Sequence, residues 1–129
     1  MKKGKKMYKQ EGYDLISAAF EVYNTLGYGF LEEVYQEALE IELQYRCIEF
    51  QSQPILHINY KSVTLNKYYR PDLYVSGGIV VELKAIEGLT KVEEAQIFNY
   101  LKATDKNVGY LINWGNKNKL EWKRFIVSR

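Results

Sequence analysis

The sequence predicts a mixed α/β, or α+β, domain in which helices pack on a small central sheet. Three observations predict it. Helical periodicity occupies the first third of the chain, β-rich runs separated by turns fill the middle, and a capped helix with two further apolar runs completes it. The resulting order is α, α, β, β, β, α, β, β, which helices layered against a single sheet can bury.

In the first third, Leu15, Ile16, Ala19, Phe20, Tyr23 and Leu26 recur at helical spacing, with Asp14 placed to cap their start. Gly27-Tyr28-Gly29 interrupts the pattern, and Leu31, Val34, Tyr35, Ala38, Leu39 and Leu43 resume it as far as about Arg46. Two consecutive helices, or one broken helix, fit this. Residues 48–60 read as extended, with Pro54 marking an edge position or a bulge. Lys61-Ser62 turns the chain. Residues 63–75 and 79–86 then read as the arms of a hairpin joined by Ser76-Gly77-Gly78. The second arm opens on Ile79-Val80-Val81, a run suited to a strand covered on both faces. Thr90-Lys91-Val92-Glu93 is a capping box, predicting a helix to about Thr104. Residues 108–114 read as a buried strand, residues 115–119 as a polar loop and residues 120–127 as a last strand.

The 129 residues fit one compact domain, here 13–129 behind a basic, flexible stretch at 1–12. Composition is that of a soluble globular protein, 47% hydrophobic and 26% charged. Cys47 is the single cysteine, so no internal disulfide is possible, which agrees with a reducing, cytoplasmic setting. No apolar run approaches the roughly 20 residues that span a bilayer, so no membrane partner is expected. The lysines at 2, 3, 5, 6 and 9 are not followed by an apolar segment, so the start does not read as a secretory signal. They read as a solvated terminus, with a phosphate-binding arm as the lesser alternative. A net charge of +2 neither announces nor excludes a nucleic-acid partner.

Chemistry concentrates at the hairpin. Gly77 lies five residues from both Asp72 and Glu82, so a hairpin symmetric about Gly77 sets these two carboxylates opposite each other. Opposed like charges destabilise a sheet, and a bound cation would account for them. Lys84, two residues past Glu82, projects from the same face. Mg²⁺ prefers oxygen ligands and commonly uses one or two carboxylates. Two acids and an amine at one point suit metal-assisted attack on a phosphodiester, with Lys84 orienting the water or stabilising charge on the phosphate. Arg70, two residues before Asp72, would share its strand face and contact phosphate or neutralise the acids as an ion pair. His57 has no second histidine to pair with, and Cys47 reads as a packing residue at a helix end. Gly27 and Gly29 do not follow a strand, so they mark a helix break and not a dinucleotide loop.

Asp72 followed by Glu82-Leu83-Lys84, with a helix after the second motif, resembles the PD-(D/E)XK nuclease superfamily, and Pro71-Asp72 supplies its Pro-Asp dipeptide. Gln96-Ile97-Phe98-Asn99-Tyr100 resembles the Gln-x-x-x-Tyr motif of the RecB-like branch. Residues 29–35, Gly-Phe-Leu-Glu-Glu-Val-Tyr, are similar to the Gly-x-x-Glu-x-x-Tyr signature of the GxxExxY family. The resemblance implies a restriction-endonuclease-like α-β-β-β-α-β core and Mg²⁺- or Mn²⁺-dependent cleavage of DNA or RNA. It implies metal ligation by Asp72, Glu82, the Leu83 carbonyl and Glu32. Glu33, about 100° around the helix, would be left in solvent. Tyr35, one turn past Glu32, would face the same cleft or lie in the core. Gln96 and Tyr100 share a helical face, so Gln96 would stand beside the metal or a substrate phosphate, and Tyr100 would buttress the site or touch the strand. A homodimer cutting two strands is a further implication of the family. The competing function is a catalytically silent module of the same fold that binds nucleic acid or a partner protein.

Overall fold

The computed structural model describes residues 7–128. Two helices, α1 (Lys9–Leu26) and α2 (Glu32–Tyr45), precede strands β1 (Phe50–Ser52), β2 (Leu56–Tyr60), β3 (Val63–Tyr69), β4 (Leu73–Val75) and β5 (Ile79–Lys84). Helix α3 (Lys91–Ala103) leads into β6 (Val108–Asn113) and β7 (Glu121–Ile126). The main sheet has the order β1-β4-β5-β6-β7, while β2 and β3 form a separate two-stranded sheet. Only the β5–β6 pair of the main sheet is parallel, because α3 supplies the crossover between those strands.

Helix α1 begins at Lys9, inside the stretch expected to be flexible, whereas the lysines at 2, 3, 5 and 6 lie outside the described residues. Asp14 is therefore not a cap. It sits within α1 and accepts from Gln10 Nε2 at 2.9 Å. Gly27, with φ 74°, ends the helix, so the expected break between two helices is present.

Strand alternation sorts the main sheet into two faces. Ile79, Val81 and Leu83 pack with Leu73 and Val75 against Leu15, Ala19, Leu39 and Leu43 of α1 and α2. Val80 turns the other way, towards Ile97 and Leu101 of α3. All six residues of β6 are buried, as a strand covered on both sides requires.

Two expected strands divide. The extended run at 48–60 is interrupted by Gln53-Pro54-Ile55, so β1 joins the edge of the main sheet and β2 leaves it. The run at 63–75 also divides, at Arg70-Pro71-Asp72. Proline has no N–H to give a ladder, and the link redirects the chain from the small sheet to the large one. The Lys61-Ser62 turn is present, joining β2 to β3.

Close approach of backbones fixes the end of β5. The N–H of Trp114 donates to the Lys84 carbonyl at 3.0 Å. Buried Asn113 accepts from Ile86 N at 2.9 Å and donates to Ile86 O at 2.9 Å. A Cβ built on Gly115 would lie 2.3 Å from the backbone N of Ile86. Gly115→Ala is thus expected to lower stability by about 1–3 kcal/mol, since a backbone neighbour cannot swing aside. Gly88→Ala, where an added Cβ meets open space, is the control and should lie within about 0.5 kcal/mol of the parent in urea unfolding.

Candidate active site

The turn at Ser76-Gly77-Gly78 sets the register Leu73↔Val81, Tyr74↔Val80 and Val75↔Ile79. Continuing it by one residue places Asp72 across from Glu82. The parity is also right. Leu73, Val75, Val81 and Leu83 belong to the core beneath α1 and α2, so Asp72, Glu82 and Lys84 share the opposite face, on the side of α3.

Asp72 is held at three points. Because β4 begins only at Leu73, the Leu83 N–H has no strand partner, and it donates instead to Asp72 Oδ2 at 2.7 Å. The Asp72 carbonyl accepts from Gln53 N at 2.9 Å and from Gln36 Nε2 at 3.0 Å. Gln36 also donates to Glu40 Oε2 at 3.1 Å, tying α2 to the acidic loop.

Glu82 accepts a short hydrogen bond from the Tyr69 hydroxyl. Tyr69 is only 5% exposed, and its ring stacks on Tyr100 with centroids 4.1 Å apart and planes 6° apart. Glu82, Lys84, Gln96 and Tyr100 line one small cavity of about 40 Å³, with Ile97 and Leu111 as its apolar wall. Helix α3 reaches that cavity in a fixed register because its capping box forms as expected: Val92 N donates to Thr90 Oγ1, and Thr90 N donates to Glu93 Oε1 at 2.6 Å.

Burial dominates the electrostatics of the pair. Burial, reinforced by the charge of Asp72, pushes Glu82 from 4.5 up to about 8, although the Tyr69 hydroxyl pulls the other way. Burial also raises Asp72, opposed by the Leu83 N–H and by Lys84. Glu32 is raised by burial first and then by the charge of Asp72. Lys84 favours the ionised form of all three carboxylates. Tyr69 is raised by burial and by Glu82, so its hydroxyl remains a donor.

Other expected site residues fall elsewhere. Among the described residues no group of three or more Asp, Glu, His or Cys is arranged to hold a metal. Glu32, the first residue of α2, stays on the exposed rim, near enough to feel Asp72 and Lys84. Glu33 is exposed, as expected. Tyr35 does not face the cleft. It is fully buried, stacks on Trp114 at 5.2 Å, and donates its hydroxyl to Gly27 O at 2.5 Å, fastening the loop between the first two helices. Arg70 lies in the link and not on a strand, so alternation does not place it beside Asp72. It is exposed and its Nε donates to Gln53 O at 3.0 Å. The Leu83 side chain is buried in the core. His57 and Cys47 are exposed, outside the small cavity. Sequence reasoning passed over Tyr69 and Gln36. Tyr69 stands three residues from Asp72 but in a different sheet, so no strand pattern linked them.

Residues 9–125 match the family model described as the PD-(D/E)XK nuclease superfamily. No curated protein matches the chain. Among solved structures, the crystal structure titled "Crystal structure of SSO0001" superposes with a TM-score of 0.59 at 18% identity, over 95% of this chain and 60% of that one. The chain thus spans about 60% of the length of that protein, and the likeness is one of fold. With the family match running through both acidic strands and the helix behind them, this chain belongs to the PD-(D/E)XK nuclease superfamily.

Proposed function

We propose that the chain is a metal-dependent nuclease that hydrolyses phosphodiester bonds of nucleic acid, with DNA as the favoured substrate. What supports this reading above all is the opposition of Asp72 and Glu82 on the face that also carries Lys84. Two partly buried carboxylates with raised pKa values are a costly arrangement that a cation relieves. The donor set is hard oxygen, which suits Mg²⁺ or Mn²⁺. Asp72, Glu82 and the Leu83 carbonyl would hold the ion. Alternation along β5 sends that carbonyl to the same edge as the Leu83 N–H, outside the start of β4 at Leu73. When bound, the ion supplies Lewis-acid polarisation of the phosphate and makes nearby water more acidic.

The chain's own groups do the rest. Lys84 orients the attacking water or stabilises charge developing on the phosphate. Gln96 offers hydrogen bonds to a phosphate oxygen from the same cavity. Tyr100 acts through Tyr69, which fixes the Glu82 carboxylate. Glu32 joins from the rim through water, and Arg70 supplies a guanidinium for the backbone of the substrate. Gly29, Glu32 and Tyr35 support assignment to the GxxExxY branch. One domain of this size covers a short stretch of duplex, so a cytoplasmic homodimer is the form we infer for cutting two strands. The competing reading, a silent binding module, draws support from the rim position of Glu32 and from the Tyr69 hydroxyl already seated on Glu82.

Duplex, single-stranded and branched substrates incubated with Mn²⁺ should be cleaved, and Lys84→Ala should reduce the rate by about 100-fold or more. Full cleavage by Lys84→Ala would trace the activity to a contaminant or to another mechanism. No cleavage by the parent protein would leave the silent module.

A second expectation concerns pH. The folded pKa of Glu82, about 8, lies above its unfolded value of 4.5. The native state therefore holds a proton that the unfolded chain releases. The stabilising contribution is complete below the unfolded value and is lost as pH rises through the folded one. Metal-free protein should accordingly lose stability across this interval by about 1.4 kcal/mol per pH unit for one proton. In chemical denaturation, Glu82→Gln should remove that slope. Mn²⁺ should raise Tm more at about pH 8.5 than at about pH 6, because protons compete for the carboxylates.

A further inference from the structure

A cavity much larger than the acidic one lies elsewhere in the molecule. A groove of about 550 Å³ lies between α1 and β7, on the face of the sheet opposite Glu82 and Lys84. Its walls include Tyr13, Phe20, Tyr110 and Trp122, with Lys9 and Arg124 as its charged residues and no carboxylate among its lining. Such a volume lies within the range of small-ligand sites, roughly 300–1,000 Å³. Tyr13 is 70% exposed, Trp122 44% and Phe20 41%, an open aromatic surface at one spot. Trp122 stacks on Tyr110 with centroids 6.1 Å apart, so a further flat ring would extend an existing stack. Arg124 carries a buried Nε with no hydrogen-bond partner, while its outer nitrogen donates to Met7 O at 2.6 Å. Lys123 and Arg124 lie on the edge strand itself, and charges there discourage pairing with a second sheet.

We propose that this groove binds an unpaired nucleotide, its base laid on the Tyr13–Trp122 aromatic surface and its phosphate on Lys9 and Arg124. Aromatic faces accept any base, at about 1–3 kcal/mol per stacked base. Two cations without an opposing acid select an anion over a neutral ring. The nucleotide is either free or part of a single strand. If the nuclease reading holds, the groove gives the domain a second hold on unpaired substrate, remote from the bond that is cut. The groove itself does not depend on that reading.

The test is calorimetric titration, with a chelator present, using adenosine monophosphate, adenosine and a short single-stranded oligonucleotide. Saturable binding of the monophosphate is expected, with adenosine roughly 10-fold weaker or more. A tighter oligonucleotide would identify a strand as the source, and a tighter monophosphate a free nucleotide. Tyr13→Ala, at a largely exposed position, and Trp122→Leu should each weaken binding by roughly 5-fold or more, with thermal melting verifying that both fold. Lys84→Ala should bind as the parent does. Loss of binding in Lys84→Ala would move the nucleotide to the acidic cavity and overturn the proposal. So would equal affinity for adenosine, undiminished binding in both aromatic variants, or absence of binding. A dimer that Tyr13→Ala converts to monomer would overturn it too, since the groove would then be filled by a second copy.

Discussion

Two carboxylates facing each other across the end of the β4–β5 pair are the constraint around which this molecule is arranged. Left alone, opposed like charges disfavour the hairpin that carries them. Here the strain is distributed over fixed dipoles. Asp72 takes the N–H that β4 leaves unpaired by starting only at Leu73, Glu82 takes the Tyr69 hydroxyl, and Lys84 supplies a positive charge to both. None of these groups offsets the burial of the pair, which is the main reason that both carboxyl pKa values stay raised.

The core decides that the acids meet at all. A one-residue slip of β4 against β5 would turn Leu73 and Val75 out of the layer beneath α1 and α2. That loss of apolar burial, at about 1.5–3 kcal/mol for each such side chain, holds the register against the repulsion of the acids. The hydrophobic layer on one face therefore enforces an unfavourable electrostatic contact on the other. The side of α3 adds precision, because the Tyr69–Tyr100 stack couples the small sheet to the helix and so steadies the carboxylate between them.

Much of this was legible in the letters. The spacing of Asp72, Gly77 and Glu82 predicted the register, and the Thr90–Glu93 box predicted the start of α3. Both are local, set by a turn or by a reach of three residues. Failures came where the decision was not local. Residues 48–60 and 63–75 look continuous as β-formers, but Gln53-Pro54-Ile55 and Arg70-Pro71-Asp72 pass the chain between two sheets. Tyr35 is open between cleft and core in the letters, and the surface that decides for the core is Trp114, nearly eighty positions later.

The sequence by itself determined which residues alternate, where the chain turns and which helix is capped, because these follow from backbone sterics and neighbours within a few positions. It thereby determined that residues 72, 82 and 84 share a face. Only the tertiary structure decided that Tyr69 would hold Glu82, that Gln36 would pin the loop of Asp72, and that a second aromatic groove would open behind the sheet. Those contacts join elements far apart in the chain. Their geometry is fixed by how whole layers pack, a choice made by the summed burial of many side chains and not by any short stretch of letters.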